Sequence, residues 1–543
     1  MLNTLRKPAA LFAILMIGFA LRCYNLTFPS IGYHNMKENE YLSIAQEMMR
    51  TGDLFHAKIY YYDAFEAPSG DKGHTQSSIM PYQIMATWSL LGENLWGPRM
   101  VNVVFGVLAL AALYGISILL FSDVRFALTS TFIAAILPIS LFFSRYIMPD
   151  SPALFFMLLG SMFYVRYALR RKNYDLFIGS SVLSLALFYK PSFLIGAVPF
   201  LFLIPYREIL KGGRKALLPA ALALGPYAAA VSLAVWMQNS GFWELARIDP
   251  KRLLEVFNLS YWAKNGRTLW WFAYGENFTL AFSLMAAVGG AIALVRVRGV
   301  LNRYLIGWIF AAICYAVLYP DEIAQINYFQ MPFVAFVSIS SAYAIYWVSG
   351  IIKRAVKKDI ALLLIFFLIG DSVYFVYNAM GRMNNTAFIG VDAAGETLRE
   401  LTRQEERVFL LTHAQGYGIA RYAHRYVGWA SNLNDLKGKE TKFSIRYLCV
   451  YPADFIRMMQ SKDPAMYDYI SRNYTVKEVG MTQEPHNVYY LILEKGEASD
   501  PKVFLESLSG QARVKTIYRI SGNYVFFYVI RPSSQEPKAS QAK

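Results

Sequence analysis

The chain has 543 residues, of which 56% are hydrophobic and only 17% charged, and its formal net charge is +16. Soluble globular chains are about 25% charged, so this composition argues against an ordinary soluble enzyme and fits a polytopic membrane protein with a sizeable extramembrane part. The positive charges gather in short clusters between apolar runs, as the positive-inside rule expects, and not on a basic face suited to nucleic acid.

From the N-terminus, Arg6 and Lys7 precede the apolar run Pro8 to Leu21. Arg22-Cys23-Tyr24 is a poor cleavage site, so this segment reads as an uncleaved first span and not a signal peptide. A hydrocarbon core about 30 Å thick needs roughly 20 apolar residues per helix. Spans are predicted near 8–28, 99–121, 126–145, 150–169, 174–189, 191–206, 215–237, 277–296, 302–319, 328–350 and 359–378, eleven in all. Alternate connections hold basic clusters: Arg170-Arg171-Lys172, Arg207 to Lys215, Arg296 to Arg303, and Lys353 to Lys358. These face the cytoplasm with the N-terminus, and the odd number of spans places the C-terminal region outside.

The connection between the first two spans reverses the composition of the chain. From Pro29 to Met80 it carries seven acidic residues against four basic ones, with His34, His56 and His74. Within it, Tyr41, Ile44, Ala45, Met48 and Met49 recur at helical spacing, so Glu38 to Arg50 is expected to form an amphipathic helix on the membrane surface, ended by Thr51-Gly52-Asp53. Pro81 to Leu91 is too short to span and reads as a second interfacial helix. Beyond residue 379, short apolar runs at 408–412, 426–429, 447–451, 488–493 and 524–530 alternate with helical stretches such as Phe455 to Asn473. That alternation predicts a small α/β domain. The expected organisation is a membrane part over 1–378, with 29–97 its first outer loop, an extracytoplasmic α/β domain over 379–531, and a disordered tail over 532–543.

The candidate chemical groups fall on the outer side. Glu38 and Glu40 open the interfacial helix, and an ionised carboxylate there can act as general base on an acceptor hydroxyl or amine; capping and solvation are the plainer roles. Ser144 to Pro152 forms a hairpin in which Arg145 and Asp150 are expected to pair, snorkel or line a cleft, because charge within the bilayer is costly. Lys190, alone between two apolar runs, suits a lipid phosphate or simply snorkels. Asn327-Tyr328-Phe329-Gln330-Met331-Pro332 suits a sugar or phosphate edge, or an interfacial aromatic belt. His34, Lys37, Tyr41 and His74 join Asp150 and Asn327 as expected cleft-lining residues. His34, His56 and His74 are candidate ligands of a divalent metal, although their spacing matches no local metal motif. The cysteines Cys23, Cys314 and Cys449 give no disulfide or zinc spacing. No Walker-type phosphate loop, serine nucleophile elbow or dinucleotide fingerprint occurs.

The order of these features resembles the GT-C glycosyltransferases, closest to the lipid A aminoarabinose transferase and the protein O-mannosyltransferase-like group. The matching stretches are Glu38 to Met48 with Thr51-Gly52-Asp53, Leu91 to Trp96 with Arg99, Ser144 to Phe156, Tyr189-Lys190, and Asn327-Tyr328 to Pro332. The resemblance implies a multi-pass protein of the plasma (bacterial inner) membrane that takes a sugar from a polyprenyl-phosphate donor. It implies transfer, with inversion, to an extracytoplasmic lipid, protein or glycan acceptor, metal-independent or metal-assisted. Lys190, Arg145 and Tyr328 then correspond to donor-phosphate contacts. In the family an Asp-Glu pair precedes the helix; here Glu38 matches the Glu, but Lys37 stands at the Asp position. Either Glu38 or Glu40 is expected to take that role. A flippase for a lipid-linked glycan and a non-enzymatic glycan-binding membrane protein are the alternatives; the paired, interrupted spans common in transporters are not evident.

Overall fold

A computed structural model describes residues 2–56, 58–61, 79–206, 217–239, 253–357, 361–412, 414–483, 486–496, 500–508 and 510–532. The chain divides into two compact units. The first comprises Met1–Thr27, Gln76–Ser240 and Glu244–Arg382, and the second includes Phe28–Thr75 and Met383–Lys543. Of the first outer loop, the described residues 28–56 and 58–61 group with the C-terminal region.

The first unit is helical. Over the described residues each of the eleven apolar segments contains some helix, and five helices are long and apolar enough to cross a membrane: Trp96–Phe121, Asp150–Arg170, Leu217–Asn239, Val300–Leu318 and Asn327–Ala355. Leu259–Asn277 and Leu280–Val295, bent by 111°, make a sixth if taken as one span. Two expected spans are interrupted, both at proline. Over 126–145 the helix Val124–Ile136 stops at Leu137, whose ψ of 130° is the extended conformation favoured before proline, and Pro138–Phe143 begins a new helix. Over 191–206, Pro191 and Pro199 remove backbone donors, leaving a 3-10 turn, Pro191–Ala197, followed by the short helix Val198–Leu201. The expected helix at 81–91 is present as Met80–Leu91.

The second unit is built on a seven-stranded sheet: β1 (Val408–Leu410), β2 (Val427–Trp429), β3 (Tyr447–Val450), β4 (Tyr474–Thr482), β5 (Asn487–Lys495), β6 (Gln511–Ile520) and β7 (Asn523–Arg531). Its order is β2-β1-β3-β5-β4-β7-β6, with β1 parallel to β2 and β3 and the other pairs antiparallel. Strand alternation assigns side chains to two cores. Val408, Leu410, Cys449, Tyr490 and Ile492 join Val391, Leu398 and Ile419 on one face, with Phe28, Ile31, Tyr60 and Tyr61 from the first loop. Phe409, Leu448, Val450, Leu491 and Leu493 meet Leu436, Met459 and Ile470 on the other.

Residues 28–61 are fastened to this domain at both ends. Gly32 bridges Ala387 antiparallel and Phe388 N donates to Ile31 O at 2.7 Å; Tyr61 bridges Val427 and Val427 N donates to Tyr60 O at 2.6 Å. Between them runs the helix Asn35–Thr51, one turn earlier at its start than the spacing predicts, and closed by Gly52 at φ 71°. It packs on the helix Gly416–Ala423. Gly416, at the start of that helix, makes room for the Tyr61 ring, since a Cβ there would stand 2.0 Å from it. Gly416→Ala is expected to cost about 1–3 kcal/mol through overpacking, read as a lowered unfolding midpoint of the purified protein; an unchanged midpoint would contradict the contact.

Candidate functional site

Sequence-selected residues fall into a group in each unit. In the helical unit, Lys190 ends the helix Asn173–Tyr189 and Asp150 begins Asp150–Arg170. Their side chains meet at 2.8 Å, both almost fully buried. The Lys190 ammonium also lies 4.3 Å from the Tyr328 ring centroid and 4.2 Å from that of Phe329. A buried charge requires such partners, because desolvation otherwise outweighs what it gains. Asp150 Oδ2 has no hydrogen-bond partner among the described residues.

Asp150 thus pairs with Lys190 and not with Arg145, its neighbour in sequence. Arg145 donates to the Tyr24 carbonyl and lies over the rings of Tyr24, Phe142 and Tyr146. Adjacent rings connect the two groups, since Phe143 packs on Tyr328 at 5.5 Å between centroids and Phe142 stacks on Tyr146 at 4.6 Å. Asn327 turns elsewhere: its Nδ2 donates to Glu276 Oε2 at 2.8 Å and its carbonyl accepts from Asn277.

Asn102 anchors the hairpin between these helices and was not among the selected residues. Its Nδ2 donates to the Tyr146 and Met148 carbonyls, its Oδ1 accepts from Gln83 Nε2 at 2.9 Å, and its own carbonyl accepts from Ser151 Oγ at 2.9 Å. Gln83 in turn accepts from the Tyr189 hydroxyl at 3.2 Å, beside Lys190. The signal was present: a polar side chain inside an apolar run is expensive and marks a site. Elsewhere in this unit an apolar cavity of about 340 Å³ is lined by Trp270, Phe278, Tyr315, Phe333 and Phe336.

In the second unit, Glu38 and Glu40 are both buried but have different partners. Ser30 Oγ donates to Glu38 Oε2 at 2.6 Å, the Ser30 carbonyl accepts from Asn39 Nδ2 at 2.7 Å, and Ser30 N donates to the Tyr422 hydroxyl at 2.9 Å. Glu40 forms an ion pair with Lys37 at 2.7 Å, one helical turn back. Tyr41 is buried, and His34 caps the helix in the left-handed region with its ring against Tyr33. Both side-chain atoms of Asn35, Asn39 Oδ1, and Arg421 Nε and Nη1 are buried without hydrogen-bond partners among the described residues. Arg421 lies on the helix that packs against Asn35–Thr51. Such orphaned groups are what a polar ligand satisfies. Nothing in local sequence distinguished Arg421.

The histidine set does not form a metal centre among the described residues. His56 pairs with Asp53 at 3.0 Å, His74 lies outside the described residues, and the described residues hold no group of three His, Cys, Asp or Glu suited to a metal ion.

Residues 12–235 match the model of the dolichyl-phosphate-mannose-protein mannosyltransferase family. A search of curated proteins gives no match. Among solved structures, the Archaeoglobus fulgidus oligosaccharyltransferase in complex with Zn and sulfate is similar over 93% of this chain and 78% of its own, at 13% identity and a TM-score of 0.58. ArnT from Cupriavidus metallidurans bound to undecaprenyl phosphate is similar over 89% of this chain and 97% of its own, at 12% identity and a TM-score of 0.54. The resemblance to the GT-C glycosyltransferases read from the sequence is matched by these likenesses in fold, and the described residues include five helices long and apolar enough to cross a membrane.

Proposed function

We propose that this protein transfers a sugar from a polyprenyl-phosphate donor to an extracytoplasmic acceptor, inverting the sugar carbon. The observation that carries the reading is the buried Lys190–Asp150 pair under Tyr328 and Phe329 in an otherwise apolar bundle. The shared fold supports it, since the similar ArnT structure holds undecaprenyl phosphate.

In this reading a carboxylate of the Asn35–Thr51 helix, Glu40 or Glu38, takes the proton of the acceptor hydroxyl. The acceptor oxygen bonds to the sugar C1 as the C1–O bond to phosphate breaks, and the polyprenyl phosphate departs with the electron pair. Lys190 and Arg145 offset the charge developing on that phosphate, with Tyr328 beside them. The aromatic-lined apolar cavity accepts part of the prenyl chain. The membrane is the bacterial inner membrane, with the N-terminus cytoplasmic and the C-terminal domain outside.

The test is reconstitution of purified protein in vesicles with a radiolabelled polyprenyl-phosphate sugar and a cell-envelope lipid extract as acceptor. Label appearing in an acceptor with the opposite anomeric configuration is the expected result. Movement of intact labelled lipid across the bilayer without transfer would replace this reading with that of a flippase.

A further inference from the structure

The helix Leu259–Trp271, in the first unit, sorts its side chains into three rows, because residues three and four apart share a helix face. One row, Tyr261, Asn265 and Leu269, packs on the protein. Tyr261 is buried with its hydroxyl donating to the Pro320 carbonyl at 2.7 Å, and the Leu269 carbonyl accepts from Gln330 Nε2 at 3.4 Å. The second row is apolar: Leu259, Trp262 and Trp270, with Ala263 and Gly266 between them. Its three large side chains are 86%, 48% and 49% exposed. Trp262 is held there by its indole N–H, which donates to the Val256 carbonyl at 2.7 Å. The third row, Ser260, Lys264 and Arg267, is polar and exposed. Trp271 closes it, with the Arg382 guanidinium 5.0 Å from its ring centroid.

An apolar row beside a cationic one is the cross-section of a helix lying in a membrane interface, with acyl chains against one row and headgroups against the other. The axis agrees. Leu280–Val295 fills the predicted span 277–296, and the chain turns by 111° between Leu259–Asn277 and that helix. With the span along the membrane normal, Leu259–Trp271 runs close to the membrane plane. The apolar surface continues ahead of the helix in the exposed side chains of Leu254 and Phe257, and tryptophans are enriched at this depth. Of the apolar row only Trp270 borders the aromatic-lined cavity, so most of this surface faces away from it.

We propose that this helix docks on the bilayer surface, with Leu259, Trp262 and Trp270 among the acyl chains and Lys264 and Arg267 holding the headgroup of an anionic phospholipid. Charge complementarity favours an anionic lipid over a zwitterionic one. The helix carries no acidic residue, and Lys264 and Arg267 form no ion pair or hydrogen bond among the described residues. Glu255 stands ahead of the helix on the turn Glu255–Phe257. Asp321 and Glu322 belong to the helix Pro320–Gln325, which meets the Tyr261 row. The proposal concerns lipid binding and does not rest on the transferase reading.

The experiment places p-benzoylphenylalanine at Leu259 of the full-length protein. The protein is reconstituted in vesicles of equal phosphatidylcholine and phosphatidylglycerol with a trace of polyprenyl phosphate. After irradiation the lipid adducts of the labelled peptide are identified by mass. Phospholipid adducts are expected, with phosphatidylglycerol favoured at least threefold, and high salt should reduce that preference. Lys264→Gln with Arg267→Gln should bring the ratio to one at an unchanged unfolding midpoint, whereas the charge-conserving Lys264→Arg with Arg267→Lys should keep it. Absence of lipid adducts overturns the docking. Adducts without a phosphatidylglycerol preference, or with one that survives both high salt and loss of the two charges, overturn the headgroup assignment. Adducts dominated by polyprenyl phosphate would make this face part of the donor's path and overturn the proposal.

Discussion

Lys190→Met is expected to abolish sugar transfer and to destabilise the protein together. Removing one partner of a buried pair leaves Asp150 as an uncompensated charge, at a cost of about 3–5 kcal/mol. Asp150 is fully buried and its second oxygen has no hydrogen-bond partner among the described residues, so no other described group takes over from Lys190. Loss of a cation stabilising a leaving phosphate is worth about 10²–10³ in kcat. The two effects are separated by Asp150→Asn combined with Lys190→Met, which removes both charges. The double variant should recover most of the unfolding midpoint while transfer stays at the level of the single variant. Recovery of transfer with stability would make the pair purely structural and remove Lys190 from the donor site.

The sequence made much of this architecture legible because the bilayer enforces a single length and composition on each spanning helix. Lys190 stood out for the same reason, as a lone cation among apolar neighbours. Its partner did not, since proximity in sequence pointed Asp150 at Arg145. Asp150 sits at a helix start and meets the end of the next helix, a tertiary relation without a periodic signature. The five short apolar runs predicted as strands coincide with β1, β2, β3, β5 and β7, whereas β4 and β6 were passed over. Register shifts at Val476/Glu478 and Gly480/Met481 break the alternation in β4, and β6 is an edge strand with mostly exposed side chains. The expected helix Phe455 to Asn473 is two helices parted at Pro464. Least legible was the union of residues 28–61 with the C-terminal sheet, which rests on isolated bridges and on contacts such as Ser30 to Tyr422, 392 residues apart.

In the proposed transfer reaction, Glu40→Gln is expected to lower kcat about 10²–10⁴-fold with little change in KM. The family pattern has an aspartate where this chain has Lys37, and side chains three apart on a helix share a face. The 2.7 Å pair between Lys37 and Glu40 places the Glu40 carboxylate beside the position that aspartate would occupy. Glu38 instead accepts from Ser30, itself tied to Asn39 and to Tyr422. Glu38→Gln should therefore act mainly through the joining of this helix to the C-terminal domain. Its expected signature is a lowered unfolding midpoint with at most about a tenfold fall in kcat. The decisive variant is Lys37→Asp on the Glu40→Gln background, which moves the carboxylate one turn back to the family position. Partial return of transfer, by at least tenfold over Glu40→Gln alone, is the expected result. If Glu38→Gln is the inactive variant and Lys37→Asp rescues nothing, the base is Glu38, and the Lys37–Glu40 pair serves only to hold the helix.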